Sequence, residues 1–287
     1  MTVSIWLSYA IDKLETAGIG TARLDCQLLL ADILAHDRSW LLAHTETVVT
    51  EETRKKLESQ LEERAKHVPL AYIRGKTEFY GREFFVDKRV LEPRPESETM
   101  IDILKNLPGA TEQKMEIIDV GTGSGALAIT AKLELPSATV IATDIDPNCL
   151  IVAEKNAAKH NVAISFAQGD LLEPIGTVPP GLSVITLANL PYIPDDYHIN
   201  PAAMQEPKLA IFGGEDGLDP YRKLFAQAAE FSERPRYILT ESLPPQHKQL
   251  AFIAARFGFR QTKEDDFIQV FEGGHQQGVA YTPPHPA

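Results

Sequence analysis

Ile117-Ile118-Asp119-Val120-Gly121-Thr122-Gly123-Ser124-Gly125 is a short apolar run carrying one acid and followed at once by three glycines at alternate positions. Such a stretch reads as a strand that breaks into a tight turn and opens a helix, since glycine accepts the turn's positive φ and keeps Cβ out of a ligand's way. The helix start beyond it offers unpaired N–H groups. A dinucleotide fingerprint is GxGxxG, whereas here the third glycine follows after one residue, and an acid precedes the loop. That variant favours a methionine-nucleoside pocket over a pyrophosphate one. Gly121, Thr122, Gly123, Ser124 and Gly125 are the expected cofactor-binding residues.

Outward from this loop, strand-like and helix-like segments alternate: 117–120 and a helix through 135; 139–143 and a helix over 147–160; 164–167; 184–188; a helix over 218–231; 236–240; a helix to 257; and 267–271. Alternation of this kind implies an α/β domain with a mostly parallel sheet. In such sheets the ligand crevice lies at the carboxyl ends of the strands, so the residues just after each strand are the candidates for chemistry. Asp144 ends the second strand, nineteen residues past Gly125, where an acid accepts hydrogen bonds from both ribose hydroxyls. The competing reading is a helix cap, but Asp146 before Pro147 already fits that task. Asp170 and Leu171 follow the third strand and are placed to meet an adenine edge, although an ordinary loop acid would look the same.

After the fourth strand comes Ala188-Asn189-Leu190-Pro191-Tyr192. An Asn amide oxygen and an adjacent main-chain carbonyl both accept from one planar –NH2 group, and an aromatic ring stacks on its plane. Asn189, Leu190, Pro191 and Tyr192 are therefore the candidate catalytic residues, and the site suits an amino group that is not basic. The matching co-substrate is S-adenosylmethionine, whose sulfonium presents an electrophilic methyl carbon and becomes S-adenosylhomocysteine on transfer. The bland reading, a turn built from Asn and Pro, loses ground because the motif follows the glycine loop and two acids in order.

Composition bounds the partners. The chain has 287 residues, 44% hydrophobic and 24% charged, which is enough apolar material for a full core and, on length, most simply two domains. Against 28 Lys and Arg stand 40 Asp and Glu, so the net charge of −12 repels phosphate backbones. Cys26 and Cys149 are isolated, which excludes a disulfide framework or a zinc site and fits a reduced cytoplasm. No metal site is expected. Nor does any apolar run approach the roughly 18 residues of a membrane span, and the N-terminus lacks a basic leader.

The first 66 residues carry helical periodicity, with Ile5, Tyr9 and Leu14, then Leu24, Leu28 and Leu34, as the expected inner positions. Gly18 and Gly20 close a first helix, Thr21 caps a second, and Thr50 opens a third that runs to about Lys66. Either a stabilising appendage or a substrate-gripping module fits this pattern. Aromatic-rich runs over 76–86, around a Gly-containing turn, read as a hairpin. The expected division is a helical substrate-recognition domain over 1–75, a hairpin linker over 76–95, the α/β domain over 96–272 and a loose tail over 273–287.

Several further stretches carry a resemblance: Pro69-Leu70-Ala71-Tyr72-Ile73-x-Gly75, Glu78-Phe79-Tyr80, Pro93-Arg94-Pro95-Glu96-Ser97-Glu98 and Gly213-Gly214-Glu215-Asp216-Gly217-Leu218-Asp219. With the motifs above, the chain resembles the N5-glutamine methyltransferases of peptide-chain release factors, the HemK or PrmC family. The glycine and Asn-Leu-Pro-Tyr motifs are shared by many amino-group methyltransferases; the Arg-Pro-x-x-Glu and Gly-Gly-Glu-Asp-Gly-Leu segments are more specific. The resemblance implies a seven-stranded, Rossmann-like S-adenosylmethionine-dependent methyltransferase sheet preceded by a helical domain and a β-hairpin linker. It also implies an enzyme of translation termination that methylates the Gly-Gly-Gln glutamine of class 1 release factors; a cytoplasmic monomer without direct nucleic-acid contact is the accompanying expectation. Glu78, Phe79, Arg94, Glu96 and Glu98 would lie near the substrate entrance, although Arg94 with either of the last two glutamates also makes sense as a plain ion pair.

Two departures stand out. Leu190 replaces the family's usual first proline, which preserves the backbone carbonyl while predicting a less rigid loop, and Ser97 replaces the usual threonine, keeping the hydroxyl. An adenine-N6 methyltransferase acting on RNA or DNA is the alternative, because Asn-Leu-Pro-Tyr alone does not separate one planar –NH2 from another; charge and domain order disfavour it. A non-catalytic binding module is the third reading, and the intact glycines, acids and Asn189 argue against it.

Overall fold

The computed structural model describes residues 1–108 and 115–274, which fall into two compact units. One contains Met1–Glu78, Glu83–Glu92 and His198–Lys208; the other contains Phe79–Arg82 and the described residues of Pro93–Tyr197 and of 209–274.

The first unit is helical: α1 (Val3–Thr16), α2 (Ala22–Leu34), α3 (Arg38–Ala43), α4 (Glu51–Ala65) and α5 (Leu70–Arg74). Thr50 caps α4 by accepting from the Thr53 N–H at 3.2 Å. Thr21 precedes α2 but makes no side-chain cap bond. The buried stripe of α1 is Val3, Trp6, Ala10 and Leu14, whereas Ile5, Tyr9 and Leu24, expected inside, are 57%, 45% and 39% exposed. A turn of 3.6 residues leaves Ile5 and Tyr9 one step round the helix from that stripe, and Trp6, the largest fully buried side chain, takes the core. Asp25 and Arg64, both buried, pair at 2.7 Å across α2 and α4. Two short helices, α3 and α5, had no periodic signal to announce them.

The hairpin consists of β1 (Thr77–Phe79) and β2 (Arg82–Phe84), turning at Tyr80 and Gly81, both with positive φ. Then follow α6 (Glu98–Lys105), β3 (Met115–Val120), α7 (Ala126–Glu134), β4 (Thr139–Asp144), α8 (Pro147–His160), β5 (Ser165–Gln168), β6 (Ser183–Ala188), α9 (Asp219–Glu230), β7 (Tyr237–Glu241), α10 (His247–Arg256), β8 (Phe259–Asp265) and β9 (Ile268–Gly273). The seven-stranded sheet has the order β5-β4-β3-β6-β7-β9-β8, parallel from β5 to β7 and antiparallel at β9 and β8. This is the α/β architecture with a mostly parallel sheet. One of its strands, β8, was missed in the residue pattern because it is a polar edge strand buried only at Phe259. Strand β9 extends through Gly273, a residue beyond the expected 96–272 span, and the remainder of the expected tail, 275–287, lies outside the described residues.

Chain order reverses direction between β3 and β6: β4 and β5 build out on one side, β6 and β7 on the other. That is the topological switch point, where the loops leaving two neighbouring strands part and open a crevice. The loops concerned begin at Gly121 and Asn189, since Asp119 lies beside Leu187 in the register.

Candidate active site

Each glycine of the first loop has its own reason. A Cβ on Gly121 would lie 2.9 Å from the tip of the Leu190 side chain, and one on Gly125 would lie 3.0 Å from the Ala153 Cβ of α8, tight contacts at φ of +70° and +81° that glycine avoids. Gly123 has a φ of +55° and nothing within 4 Å of a Cβ, so its free side faces open space that a ligand can occupy. The loop is pinned from behind. Asp119 Oδ2 accepts from Thr122 Oγ1 at 2.6 Å and from the Ala128 N–H at 3.2 Å, and burial pushes its carboxyl up to about 6. Thr122 and Ser124, expected to touch the cofactor, are buried and hold the loop: Thr122 N–H donates to the Thr143 carbonyl at 2.9 Å, and the Ser124 carbonyl accepts from Asn156 Nδ2 at 2.8 Å.

Asp144 and Asp146 take different partners. Asp146 caps α8, accepting from the Asn148 N–H at 2.8 Å. Asp144 turns toward the glycine loop, where its Oδ2 accepts from the Gly123 N–H at 2.9 Å and its Oδ1 from the Asp146 N–H at 2.9 Å. The Cys149 side chain also bonds this carboxylate, whose acceptor sites still leave room for a hydroxyl donor. Burial raises the Asp144 carboxyl above the usual range, and the Asp146 charge adds in the same direction. Asp170 is tied to Lys223 of α9, an ion pair the sequence reading did not foresee. Leu171 buries its side chain in the core with φ at +57° and offers its carbonyl to Thr143 Oγ1 at 2.8 Å, so its side chain serves packing.

In the second loop Leu190 is buried against the core, and its N–H donates to Tyr221 Oη at 3.2 Å. Proline has no such donor, so the expected loss of rigidity is offset by an anchor that only a non-proline residue supplies. Tyr221 Oη also lies 3.4 Å from the Leu190 carbonyl, but its single proton has a closer acceptor in the Glu241 carbonyl, which leaves the Leu190 oxygen able to accept. Asn189 Nδ2 donates to Ser97 Oγ at 2.9 Å; Ser97 Oγ donates to Glu241 Oε2 at 2.6 Å; Tyr192 Oη donates to Glu241 Oε1 at 3.1 Å. Glu241 and Ser97 were missed as site residues. Glu241 carried no local signal beyond its place at a strand end, and Ser97 lies 92 residues from the asparagine it meets.

The Gly-Gly-Glu-Asp-Gly-Leu segment lies directly against this loop. A Cβ on Gly213 would sit 2.4 Å from the Pro191 carbonyl oxygen, and one on Gly217 would sit 2.1 Å from that of Tyr192. Gln246 Nε2 reaches both the Tyr192 and Asp216 carbonyls at 2.8 Å. Near the hairpin, Phe79 is buried, Glu78 and Glu96 are exposed and Arg94 is half-buried, while Glu98 Oε1 accepts from the Tyr80 N–H at 2.7 Å. Among the described residues no cluster of His, Cys, Asp and Glu could hold a metal, and no helix is long and apolar enough to cross a membrane.

The chain is 35% identical to the release factor glutamine methyltransferases of Koribacter versatilis and Deinococcus radiodurans, over 84% and 78% of its own length and 86% and 79% of theirs. It belongs to the release factor glutamine methyltransferase family. The family model described as the PrmC N-terminal domain matches residues 6–75, and that of ribosomal protein L11 methyltransferase (PrmA) matches residues 97–176. Among solved structures, the hMettl16 catalytic domain in complex with MAT2A 3'UTR hairpin 1 superposes with a TM-score of 0.53 at 14% identity, covering 91% of this chain and 95% of that one, a likeness of fold alone. The chain is thus an S-adenosylmethionine-dependent methyltransferase with the family's Rossmann-like sheet. Its residues suit that donor: open space at Gly123 and a buried carboxylate at the end of β4 with room for a hydroxyl donor.

Proposed function

We propose that this methyltransferase modifies the side-chain amide nitrogen, N5, of the glutamine in the Gly-Gly-Gln motif of class 1 peptide-chain release factors. The observation that carries the reading is the pair of acceptors after β6: the Asn189 side chain, fixed through its Nδ2, and the Leu190 carbonyl beside it. A planar –NH2 group donates two hydrogen bonds to such a pair, and the release factor relatives name a glutamine, which carries one.

When bound, S-adenosylmethionine supplies an electrophilic methyl carbon and leaves as S-adenosylhomocysteine. Gly123 would leave the loop open to admit it while Gly121 and Gly125 fit the loop to its packing, Asp144 would receive ribose hydroxyls, and Asp170 and Leu171 would border the adenine end. Asn189 Oδ1 and the Leu190 carbonyl hold the glutamine nitrogen. That nitrogen is a poor nucleophile because its lone pair is delocalised into the carbonyl. Two accepted hydrogen bonds localise density on it as planarity is lost, so the stabilisation grows toward the transition state. No base is needed beforehand, since the methylated amide sheds its proton after transfer. Tyr192 stacks on the amide plane, and Pro191 restricts the loop.

The direct test incubates purified enzyme with labelled donor and, separately, an unmethylated release factor and rRNA. Label is expected on the Gly-Gly-Gln glutamine; label confined to RNA overturns the reading in favour of adenine. Asn189→Ala is expected to slow single-turnover transfer by about 10²–10³ at saturating donor, the usual loss for one positioned transition-state hydrogen bond. Donor affinity, measured by calorimetry, should change much less.

A further inference from the structure

We propose that Glu241 is a positioning residue that sets, together with Ser97, which end of the Asn189 amide faces the target nitrogen. The inference rests on the acceptor role given to Asn189 Oδ1 above.

The geometry is a chain of donors with a fixed direction. An ionised carboxylate only accepts, so Glu241 Oε2 takes the Ser97 hydroxyl proton over 2.6 Å. With its proton so directed, Ser97 Oγ presents lone pairs and receives the Asn189 Nδ2–H over 2.9 Å. The amide nitrogen faces Ser97, and Oδ1 is turned the other way, the polarity needed to accept from an –NH2 group. The opposite orientation would point two N–H donors at two more and hold nothing.

The same carboxylate organises the rest of the loop. Its Oε1 accepts from Tyr192 Oη at 3.1 Å, and its main-chain carbonyl accepts from Tyr221 Oη, which in turn receives the Leu190 N–H at 3.2 Å. Glu241, 1% exposed, therefore reaches three of the four residues of Asn189–Tyr192. Two hydroxyl donors and the Asn189 amide, which also reaches this carboxyl directly, favour its charged form. Burial acts against this and raises the carboxyl above the usual range, and the Glu96 charge adds to that rise. Other titratable groups around the site are Tyr192 and Tyr221, both shifted upward by burial, and Arg94, whose charge acts on Tyr192. His247, just beyond β7, has Nε2 at 3.4 Å from the Ser242 carbonyl. When Glu241 takes up a proton it can donate to Ser97, which frees the serine proton to point at Asn189 and removes the preference for Oδ1 outward.

Two measurements test this. The first is single-turnover methyl transfer to an unmethylated release factor at saturating donor, between pH 5 and 8, for wild type, Ser97→Ala, Ser97→Thr and Glu241→Gln. Wild type and Ser97→Thr should lose rate on the acid side as Glu241 takes up its proton. Ser97→Ala should be slower by about tenfold or more with a weaker acid limb, and Glu241→Gln should be slower with none, with donor affinity little changed in both. The second reads the 15N-labelled side-chain amide of Asn189 by NMR without substrate. Its resonances should shift with the same acid transition in wild type and shift less in Ser97→Ala, which keeps the test open if Glu241→Gln does not fold. Wild-type rates and an intact acid limb in Ser97→Ala, with an Asn189 amide insensitive to pH, overturn the role of Glu241 alone, provided Asn189→Ala is slow. Near-normal transfer in Asn189→Ala overturns this role together with the reading beneath it. If the release factor is not methylated at all, the reading falls, and the NMR transition still decides whether the relay exists.

Discussion

Asp119 shows how one residue turns a local motif into a pH-dependent structure. Its carboxyl is 1% exposed and holds both Thr122 and the first turn of α7. Burial raises it from 3.8 to about 6, so the folded chain binds this proton more tightly than the unfolded chain. The group therefore favours the fold most below pH 3.8, and that contribution is lost as pH rises through 6, about 3 kcal/mol in all. Asp119→Asn should abolish this decline while keeping an oxygen for Thr122. Denaturant titrations of both proteins at several pH values between 4 and 7 check it, and parallel curves would refute it. Leu190 teaches the complementary lesson: its sequence predicted a looser loop, but its N–H and buried side chain anchor the backbone that proline would otherwise stiffen.

Among the elements, the glycine loop, α7 and α8 show that glycines of one motif are required for different reasons. Gly125→Val would press branched methyls toward Ala153 and Ile129, already 3.0 and 3.1 Å from a bare Cβ, and at a φ of +81°. Such overpacking costs roughly 1–3 kcal/mol, so the melting temperature should fall. Gly123→Ala meets nothing within 4 Å and carries only the strain of its φ, about 1–2 kcal/mol. Its larger effect should be on donor affinity, because the added methyl enters the open side of the loop. Calorimetry and thermal melts on both variants separate the two roles, and equal loss of donor affinity with equal melting points would contradict the division. Strand β8 and helices α3 and α5 mark where element reading stops. A polar edge strand needs only one partner for its hydrogen bonds, so no alternating apolar face is written into it.

For the whole molecule, both tryptophans, Trp6 and Trp40, belong to the helical unit, so intrinsic fluorescence reports that unit. Asp25→Ala would leave the Arg64 guanidinium buried without its carboxylate, a loss of about 3–5 kcal/mol. A large fall in the urea midpoint of tryptophan fluorescence is expected, with donor affinity unchanged below the transition; an unmoved midpoint would show that the pair contributes nothing. The sequence by itself determined the alternation of strands and helices, the glycine loop, Asp144 and the Asn-Leu-Pro-Tyr motif, because each depends on backbone conformation or on residues within a few positions of one another. It also placed them at one edge of the sheet, since parallel strands end on the same side. Only the tertiary structure decided which face of α1 is buried, that Asp170 pairs with Lys223, and that Ser97, Asn189 and Glu241 meet. Ser97 and Glu241 lie 144 residues apart, and the 2.6 Å hydrogen bond between them leaves no periodicity or spacing in the chain, because it comes from how the segment before α6 packs against the end of β7.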